Sequence, residues 1–335
     1  MSTIGTKLTL ADWAKRVDPD GKTSAIVEML NETNEILDDM IWVEGNLPTG
    51  HRTTIRTGLP SVTWRKLNYG VQPSKSTTVQ VDDTCGMLEA YAEVDKALAD
   101  LNGNTAEFRL SEDRAFLEAM NQEFADTLIY GDTDTDPEKF LGLAPRYYDV
   151  LATTSLGNNN VLSAGGSGND TSSIWLVVWG LNTVHGIFPK GSKAGIYSQD
   201  LGEQTLFDSA TPAGRYQGYR THYQWKCGLC VRDWRYIVRI ANVETALATT
   251  GSTTNGVASP NLLVQAMNWI PNLRMGKPVF YCNRNLKTQF DQMAINKSNA
   301  FYTSEAPFGR GPQTNFLGIP IKKVDAILST ETALS

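Results

Sequence analysis

Apolar residues recur at helical spacing most clearly between Leu110 and Ile129. Phe116, Met120, Phe124 and Leu128 stand four apart, and Ala115, Leu117, Ala119 and Ile129 widen the stripe. Ser111 can serve as N-cap with Glu112 and Asp113 in the first turn, and Gly131 as a left-handed residue just past the end. The spacing therefore predicts a helix of roughly 20 residues, about 111–130, some ~30 Å long at ~1.5 Å rise per residue. The same period runs from Met87 through Leu88, Tyr91, Val94 and Leu98 to Leu101, predicting a shorter helix that leads into the long one. Near the start, Thr9 and Asp12 cap a short helix through Trp13. After Pro19-Asp20-Gly21, Ser24 opens a second helix striped by Ile26, Val27, Leu30, Ile36, Leu37, Met40 and Ile41. Two such helices are too small for a core of their own and must lie on the body of the chain or on a neighbour.

Period-two patterning takes over elsewhere. Thr53–Leu67 and Ser76–Val81, set among Pro48, Gly50, Gly58, Pro60, Gly70 and Pro73, read as a two-stranded excursion in which Val62 alternates with Trp64 and Val79 with Val81. A lone hairpin is marginal in water, so something outside it must hold it. Residues Thr153–Ser173 form a Ser/Gly/Asn-rich loop. Ile174–Gly180 reads as a buried strand, His185–Gly191 as strand and turn, and Tyr216–Val243 as a long aromatic strand whose arginine stems cover apolar surface. A helix from Ser259 to Met267 with Pro260 first, a strand Val279–Asn283, a helix Asn285–Ile295 and a strand from Phe316 through Ile321 to Val324 and Ile327 complete an α+β chain.

Charge adds one thing that the periodicity lacks. Between Asn46 and Val81 the charged residues are Arg52, Arg56, Arg65, Lys66 and Lys75, with no Asp or Glu; from Asp82 to Phe140 acids outnumber bases sixteen to four. A basic arm beside an acidic helical body fits an arm of one subunit lying over the body of another, or equally a loop folded back on its own domain. The predicted inter-subunit contacts are Arg52, Arg56, Trp64, Arg65, Lys66 and Lys75 on the arm, with Glu112, Asp113, Glu118 and Glu123 on the helix. The 335 residues favour two domains, and the net charge of −6 argues against a dedicated DNA-binding face. No apolar run reaches the roughly 20 residues that cross a bilayer, and the first residues lack a signal-peptide core, so a cytosolic origin and no membrane partner are expected.

Candidate chemistry is sparse. His51, His185 and His222 occur in no HExxH, HxH or nucleophile-elbow setting, and no GxSxG or GxGxxG is present. Cys227-Gly-Leu-Cys230 is a single CxxC in a strand, where positions three apart face opposite ways, which favours structural cysteines over a metal or redox pair. Gly165–Gly168 lacks the Lys-Ser/Thr of a P-loop. The run Asp132, Asp134, Asp136 lacks the glycine and final glutamate of an EF-hand. No catalytic residue, metal or cofactor is expected. A cytosolic metal or thiol enzyme using the CxxC pair is the alternative of another class.

The long helix ending in Tyr130-Gly-Asp132, the polar turn and Phe140-Leu-Gly-Leu143 resembles the spine helix and its exit in major capsid proteins of tailed bacteriophages, the HK97-type fold. Trp179–Gly195 (WGxNTxHGxxPKGSKAG), Arg232-Asp-Trp-Arg235 and the late Leu317-Gly-Ile-Pro320 look like those of epsilon15-type short-tailed phages. The resemblance implies an N-terminal arm (1–45), an extended hairpin loop (46–82) overlapping a neighbour, a peripheral domain with the spine helix (83–150) and an axial domain (151–335). In the lambdoid relatives another strand-rich segment follows the late motif, whereas this chain stops at Ser335, so Tyr216–Val243 is expected to supply strands returning to the peripheral domain. The resemblance further implies hexamers and pentamers of an icosahedral virion shell around double-stranded DNA, with portal and scaffolding or cementing proteins as partners, assembled in the bacterial cytoplasm. It also implies an encapsulin-like nanocompartment shell as the nearest alternative. Some capsid proteins of this fold join subunits by Lys–Asn bonds; Lys66 and Lys75 lie in the arm, but no partner Asn or acid stands in motif, so non-covalent assembly is expected.

Overall fold

The structure, a computed structural model, describes residues 32, 34–101, 103, 105–150, 160–208, 214–245, 256, 258–295, 302–305 and 313–334. The helices expected around Trp13 and from Ser24 lie outside the described residues, apart from a turn of helix, α1, at Ile36–Asp39. The chain divides into two compact units. One comprises Met87–Phe124 and Lys193–Lys226 with Glu32; the other comprises Thr33–Gly86, Ala125–Ser192 and Cys227–Ser335.

The larger unit is built on β5 (Thr171–Trp179), in which every residue is buried. A strand hidden on both faces reads as an unbroken apolar run, as Ile174–Trp179 does. It pairs antiparallel with β10 (Lys277–Cys282) and β9 (Ile237–Glu244); β4 (Val161–Ser163) adds to β9 in parallel. Beyond β10 come β13 (Ile319–Lys323), β12 (Gln313–Phe316) and β11 (Tyr302–Glu305). Leu263 and Ala266 of α4 (Pro260–Trp269) and Leu286, Phe290 and Met293 of α5 (Arg284–Ile295) share a core with Leu176, Val178, Phe280 and Ile321. Both helices start as their sequences dictate. Ser259 Oγ accepts from the Asn261 amide at 3.3 Å ahead of Pro260, and Asn283 Oδ1 accepts from the amides of Asn285 and Leu286. On the other side of β5, β6 (Val184–Phe188) carries β1 (Trp42–Glu44) in parallel and the end of β8 (Arg215–Val231) antiparallel. The antiparallel hairpin of β2 (Gly50–Gly58) and β3 (Thr77–Asp95) projects from the same unit, in one register from Gly50↔Thr84 to Arg56↔Thr78, with a shift before Gly58↔Thr77.

The smaller unit contains most of the long helix α3 (Thr105–Tyr130), the short α2 (Lys96–Ala99) and β7 (Tyr197–Phe207), which runs antiparallel to β8. Val94, Leu98, Ala99 and Phe108 form its core cluster, and Phe124 stacks on Trp225 at 4.3 Å between ring centroids.

Several sequence expectations are corrected. The long helix starts at Thr105, six positions before Ser111, whose hydroxyl donates to the Phe108 carbonyl at 2.7 Å as an interior serine does. Met120, Phe124, Leu128 and Ile129 are buried, but Ala115, Leu117 and Ala119 face out. Met87–Asp95 is strand, not helix, with Ala92 and Val94 buried on alternate positions. Tyr216–Val243 is two strands, broken by a 3-10 turn at Trp234–Tyr236. Phe316–Ile321 is not one strand either. Leu317 and Gly318, at φ 48° and 84°, form the two-residue turn that pairs Phe316 with Ile319.

Gly131 is not left-handed. Its amide continues the helix by donating to Thr127 O at 2.8 Å, and a Cβ there would meet the Phe140 and Thr127 carbonyls at 2.5 Å. The exit loop folds back onto that bare backbone. The Gly142 amide donates to Gly131 O at 2.7 Å and the Leu143 amide to Leu128 O at 3.0 Å, satisfying carbonyls a helix end leaves open. Phe140 and Leu143 are buried beneath the turn. The Tyr-Gly-Asp and Phe-Leu-Gly-Leu signatures are thus two halves of one glycine-to-glycine contact.

Candidate assembly surface

Past Gly58 the hairpin leaves the sheet, and residues 59–76 form no strand. Asn68, at φ 67°, turns the chain, with the Tyr69 amide donating to Lys66 O at 3.2 Å, and Ser74 Oγ donates to Ser61 O at 2.8 Å across the loop. Leu59, Val62, Trp64, Leu67 and Tyr69 are 81%, 90%, 102%, 88% and 70% exposed. Soluble chains rarely leave so many large apolar groups in water together, and such a patch marks an interaction surface. Arg56, Arg65, Lys66 and Lys75 are exposed among or beside them.

Arg52 differs from the other arm residues. It forks onto Asp82 of the facing strand, Nε to Oδ1 and Nη2 to Oδ2, both at 2.6 Å. That bond raises the arginine and holds the aspartate below its usual value, yet both groups stand in solvent, where such a pair adds little stability. Beside the root of the hairpin lies a cleft of about 600 Å³ bordered by Arg56, Leu59, Arg232, Trp234 and Arg235. Asp233 clamps Arg235 through two bonds of 2.9 and 2.7 Å, and Arg232 Nη1 donates to Leu181 O at 3.1 Å.

The four predicted acids all lie on α3, in differing settings. Glu123 is exposed and Glu112 half-buried. Glu118 Oε1 accepts from Gln122 Nε2 and from the Glu32 amide, both at 3.0 Å. Asp113 bonds Tyr223; burial raises its carboxyl despite that bond. Burial, then the Asp113 charge, pushes Tyr223 up to about 12. Nearby Arg109 Nη2 donates to Asp200 at 2.7 Å and Thr221 at 3.2 Å.

The CxxC cysteines and the acidic run do not gather into one site. Cys227 and Cys230 are free thiols that do not meet. Cys227 neighbours Cys85, whereas Cys230 lies 3.7 Å from Thr53 Oγ1. Burial pushes both well up, the opposite of an activated nucleophile. Asp132 Oδ1 accepts the Asp134 amide at 3.0 Å, closing its own turn. His222 stacks on Tyr91 at 4.6 Å. Among the described residues no helix is long and apolar enough to cross a membrane.

Two buried ion networks were not legible in the sequence. Asp39 receives Lys277 Nζ at 2.5 Å, Lys322 Nζ at 2.7 Å and the Tyr281 hydroxyl at 2.7 Å. Arg239 donates to Ser173 Oγ, Tyr147 O and Glu331 Oε2 at 2.8–2.9 Å, while Tyr130 donates to the other oxygen of Glu331.

A family model described as major capsid protein GP7 matches residues 18–335. The chain belongs to that family of major capsid proteins. The solved structure of bacteriophage epsilon15 contains a chain 38% identical to this capsid protein, covering 100% of it and 99% of its own length at a TM-score of 0.78. The capsid of bacteriophage JBD30 is 8% identical over 92% of this chain and 99% of its own, with a TM-score of 0.51, a likeness of fold alone. An encapsulin complex from Synechococcus elongatus aligns at 13% identity over 73% of this chain and 100% of its own, but at a TM-score of only 0.43. No curated protein matches the sequence. The fold is HK97-like, and the chain is a major capsid protein of a phage shell, a member of a structural family and not of an enzyme family. Its place is the capsid of the virion.

Proposed function

We propose that this capsid protein assembles into hexamers and pentamers of an icosahedral shell enclosing double-stranded DNA, without sequence-specific binding and without catalytic activity. Residues 1–45 act as an N-terminal arm and 46–82 as a loop laid over a neighbouring subunit. Residues 83–150 form the peripheral domain and 151–335 the axial domain, with part of 216–243 returning to the peripheral one. Assembly proceeds in the host cytoplasm around a portal, aided by scaffolding or cementing proteins. The contacts run between Arg52, Arg56, Trp64, Arg65, Lys66 and Lys75 of one subunit and Glu112, Asp113, Glu118 and Glu123 of the next. Arg52, Asp113 and Glu118 already have partners in their own chain and serve as supporting contacts.

The observation that carries this reading is the hairpin tip, whose Trp64 has its whole side chain in water. Burying one such ring recovers on the order of 4–6 kcal/mol at ~25 cal/mol per Å² over ~150–250 Å². The test is electron microscopy of the expressed full-length chain at high concentration, with denaturing gels of the particles. Closed shells that dissolve into single chains on the gel are expected. A chain that stays monomeric at every concentration refutes the assembly reading, and ladders of joined chains refute non-covalent assembly.

A further inference from the structure

The histidines that no sequence motif absorbs do not scatter as the cysteines do. His51 is the second residue of β2, opposite Asp83, and His185 of β6 stands directly across from Cys230 of β8. Together they bring one ligand atom each from His51, His185 and Cys230 within 4.8 Å of one another. The imidazole rings meet edge to face at 5.9 Å between centroids. His185 is 1% exposed, and only the Gly180 backbone lies near enough to bond its ring, so one of its nitrogens, like the buried Nδ1 of His51, is left without a hydrogen-bond partner. A protein interior rarely leaves two such atoms unsatisfied side by side, since each forgoes a bond that water would have given. Their convergence on one thiol needs a cause that a histidine merely filling the core does not supply.

We propose that His51, His185 and Cys230 form a binding site for a borderline transition-metal cation, of which Zn2+ is the type, at the root of the hairpin. Two imidazoles and a thiolate suit zinc and exclude Mg2+ or Ca2+, which take oxygen ligands. Bonds of about 2.0–2.3 Å in a tetrahedral array set neighbouring ligand atoms about 3.3–3.6 Å apart, so the side chains close by roughly 1 Å on binding. The imidazoles are ready as ligands. Burial, the neighbouring His51 and Arg232 bring His185 down to about 4 against the Gly180 backbone and the Asp83 charge, and burial and Arg232 lower His51. Burial and the buried Asp83 charge raise the Cys230 thiol to about 12, so it gives up its proton only to the cation. Binding follows Cys–SH + M2+ → Cys–S–M+ + H+, one proton passing to solvent. Asp83, held by Arg146 at 2.7 Å and by the Val231 amide at 3.2 Å, supplies negative charge beside the site, and Arg232 is the adverse charge. The metal would tie β2, β6 and β8 together where the hairpin begins.

Full-length chain freed of metal by a chelator is titrated with Co2+, whose thiolate charge-transfer band reports sulfur ligation, and then with Zn2+. One equivalent of Co2+ with that band, its displacement by Zn2+, and release of one proton per cation are expected. Cys230→Ser should abolish the band, His51→Ala should weaken binding at least tenfold, and Cys227→Ser should leave the titration unchanged. A featureless titration of the wild-type chain, a band that survives Cys230→Ser, or one removed by Cys227→Ser overturns the proposal. Should Cys230→Ser fail to fold, His51→Ala decides: undiminished affinity there overturns it as well.

Discussion

Asp39 gathers two lysines and a tyrosine from strands more than two hundred residues away in sequence. The Trp179 indole N–H donates at 2.8 Å to the same Tyr281 hydroxyl, so the acid that ends α1 reaches the middle of the sheet through two bonds. Burial opposes the Asp39 charge, but the hydrogen bonds from Lys277, Lys322 and Tyr281 outweigh it, and the carboxyl titrates below its ordinary value. A depressed carboxylate contributes its full stability above the unfolded value of about 4 and loses it as pH falls through the folded one. Asp39→Asn should therefore cost about 1.5–3 kcal/mol near neutral pH, typical of hydrogen bonds to a charged group. Urea unfolding of the unassembled chain at a series of pH values checks this. The gap between wild type and variant should narrow as pH drops from about 5 towards about 2; a gap of constant size would show that the charge contributes nothing. Glu331 and Arg239 form a second ion pair, deeper in the fold. Their side chains are 7% and 4% exposed, and every arginine nitrogen has an acceptor. Such a pair costs little only because both ends are fully bonded.

Where helix α3 meets its exit loop, two glycines permit a contact no other residue allows. Gly142→Ala would place a methyl 2.6 Å from Thr127 O and 2.9 Å from Gly131 N, both backbone atoms that cannot swing aside. A loss of about 1–3 kcal/mol is expected from that overpacking, read as a lower urea midpoint. Gly70→Ala, where a methyl meets nothing within 4 Å, should be silent; equal effects at both sites would contradict the account. The exit was legible as a resemblance, but the reason for its glycines was not: Gly131 and Gly142 are needed for a close backbone contact rather than for a left-handed turn. Other elements left weaker marks. Met87, Leu88, Tyr91 and Val94 satisfy a helical period, but the chain pairs β3 beside β8, and that partner lies over a hundred residues away. Strand β7 escaped notice because its one fully buried side chain is Leu206 among polar neighbours. Leu317 sits at a positive φ that leucine disfavours, so the turn at Leu317-Gly318 read as strand. The hairpin was legible from its Thr, Val and Ile runs set among glycines and prolines, but the strand expected to run on to Leu67 ends at Gly58, so Val62 and Trp64 lie in no strand. The intrachain partners of Arg52, Asp113 and Glu118 were not legible, since they depend on register and packing that no local pattern encodes.

The shell's cohesion can come from the charges of the hairpin or from its apolar tip, and magnitudes separate the two. Exposed ion pairs contribute about 0–1 kcal/mol each and are screened over about 8–10 Å at ordinary salt. Arg56, Arg65, Lys66 and Lys75 together therefore supply at most a few kcal/mol per subunit, and chiefly at low ionic strength. Leu59, Val62, Trp64, Leu67 and Tyr69 stand largely in water, and an aliphatic side chain moved from water into a fitted groove gains about 1.5–3 kcal/mol, the Trp64 ring more. On this reckoning charge sets the register and speed of encounter, and apolar burial holds the shell closed. Raising salt to about 1 M, where screening reaches about 3 Å, should slow assembly followed by light scattering without lowering the final yield of particles. Trp64→Ala should do the reverse. The chain should unfold at the wild-type urea midpoint, because the ring stands wholly in solvent, while the concentration needed for shells rises at least tenfold. If salt dissolves the particles and Trp64→Ala leaves them intact, the ranking of the two forces is inverted and the basic residues, not the aromatic tip, are the bond between subunits.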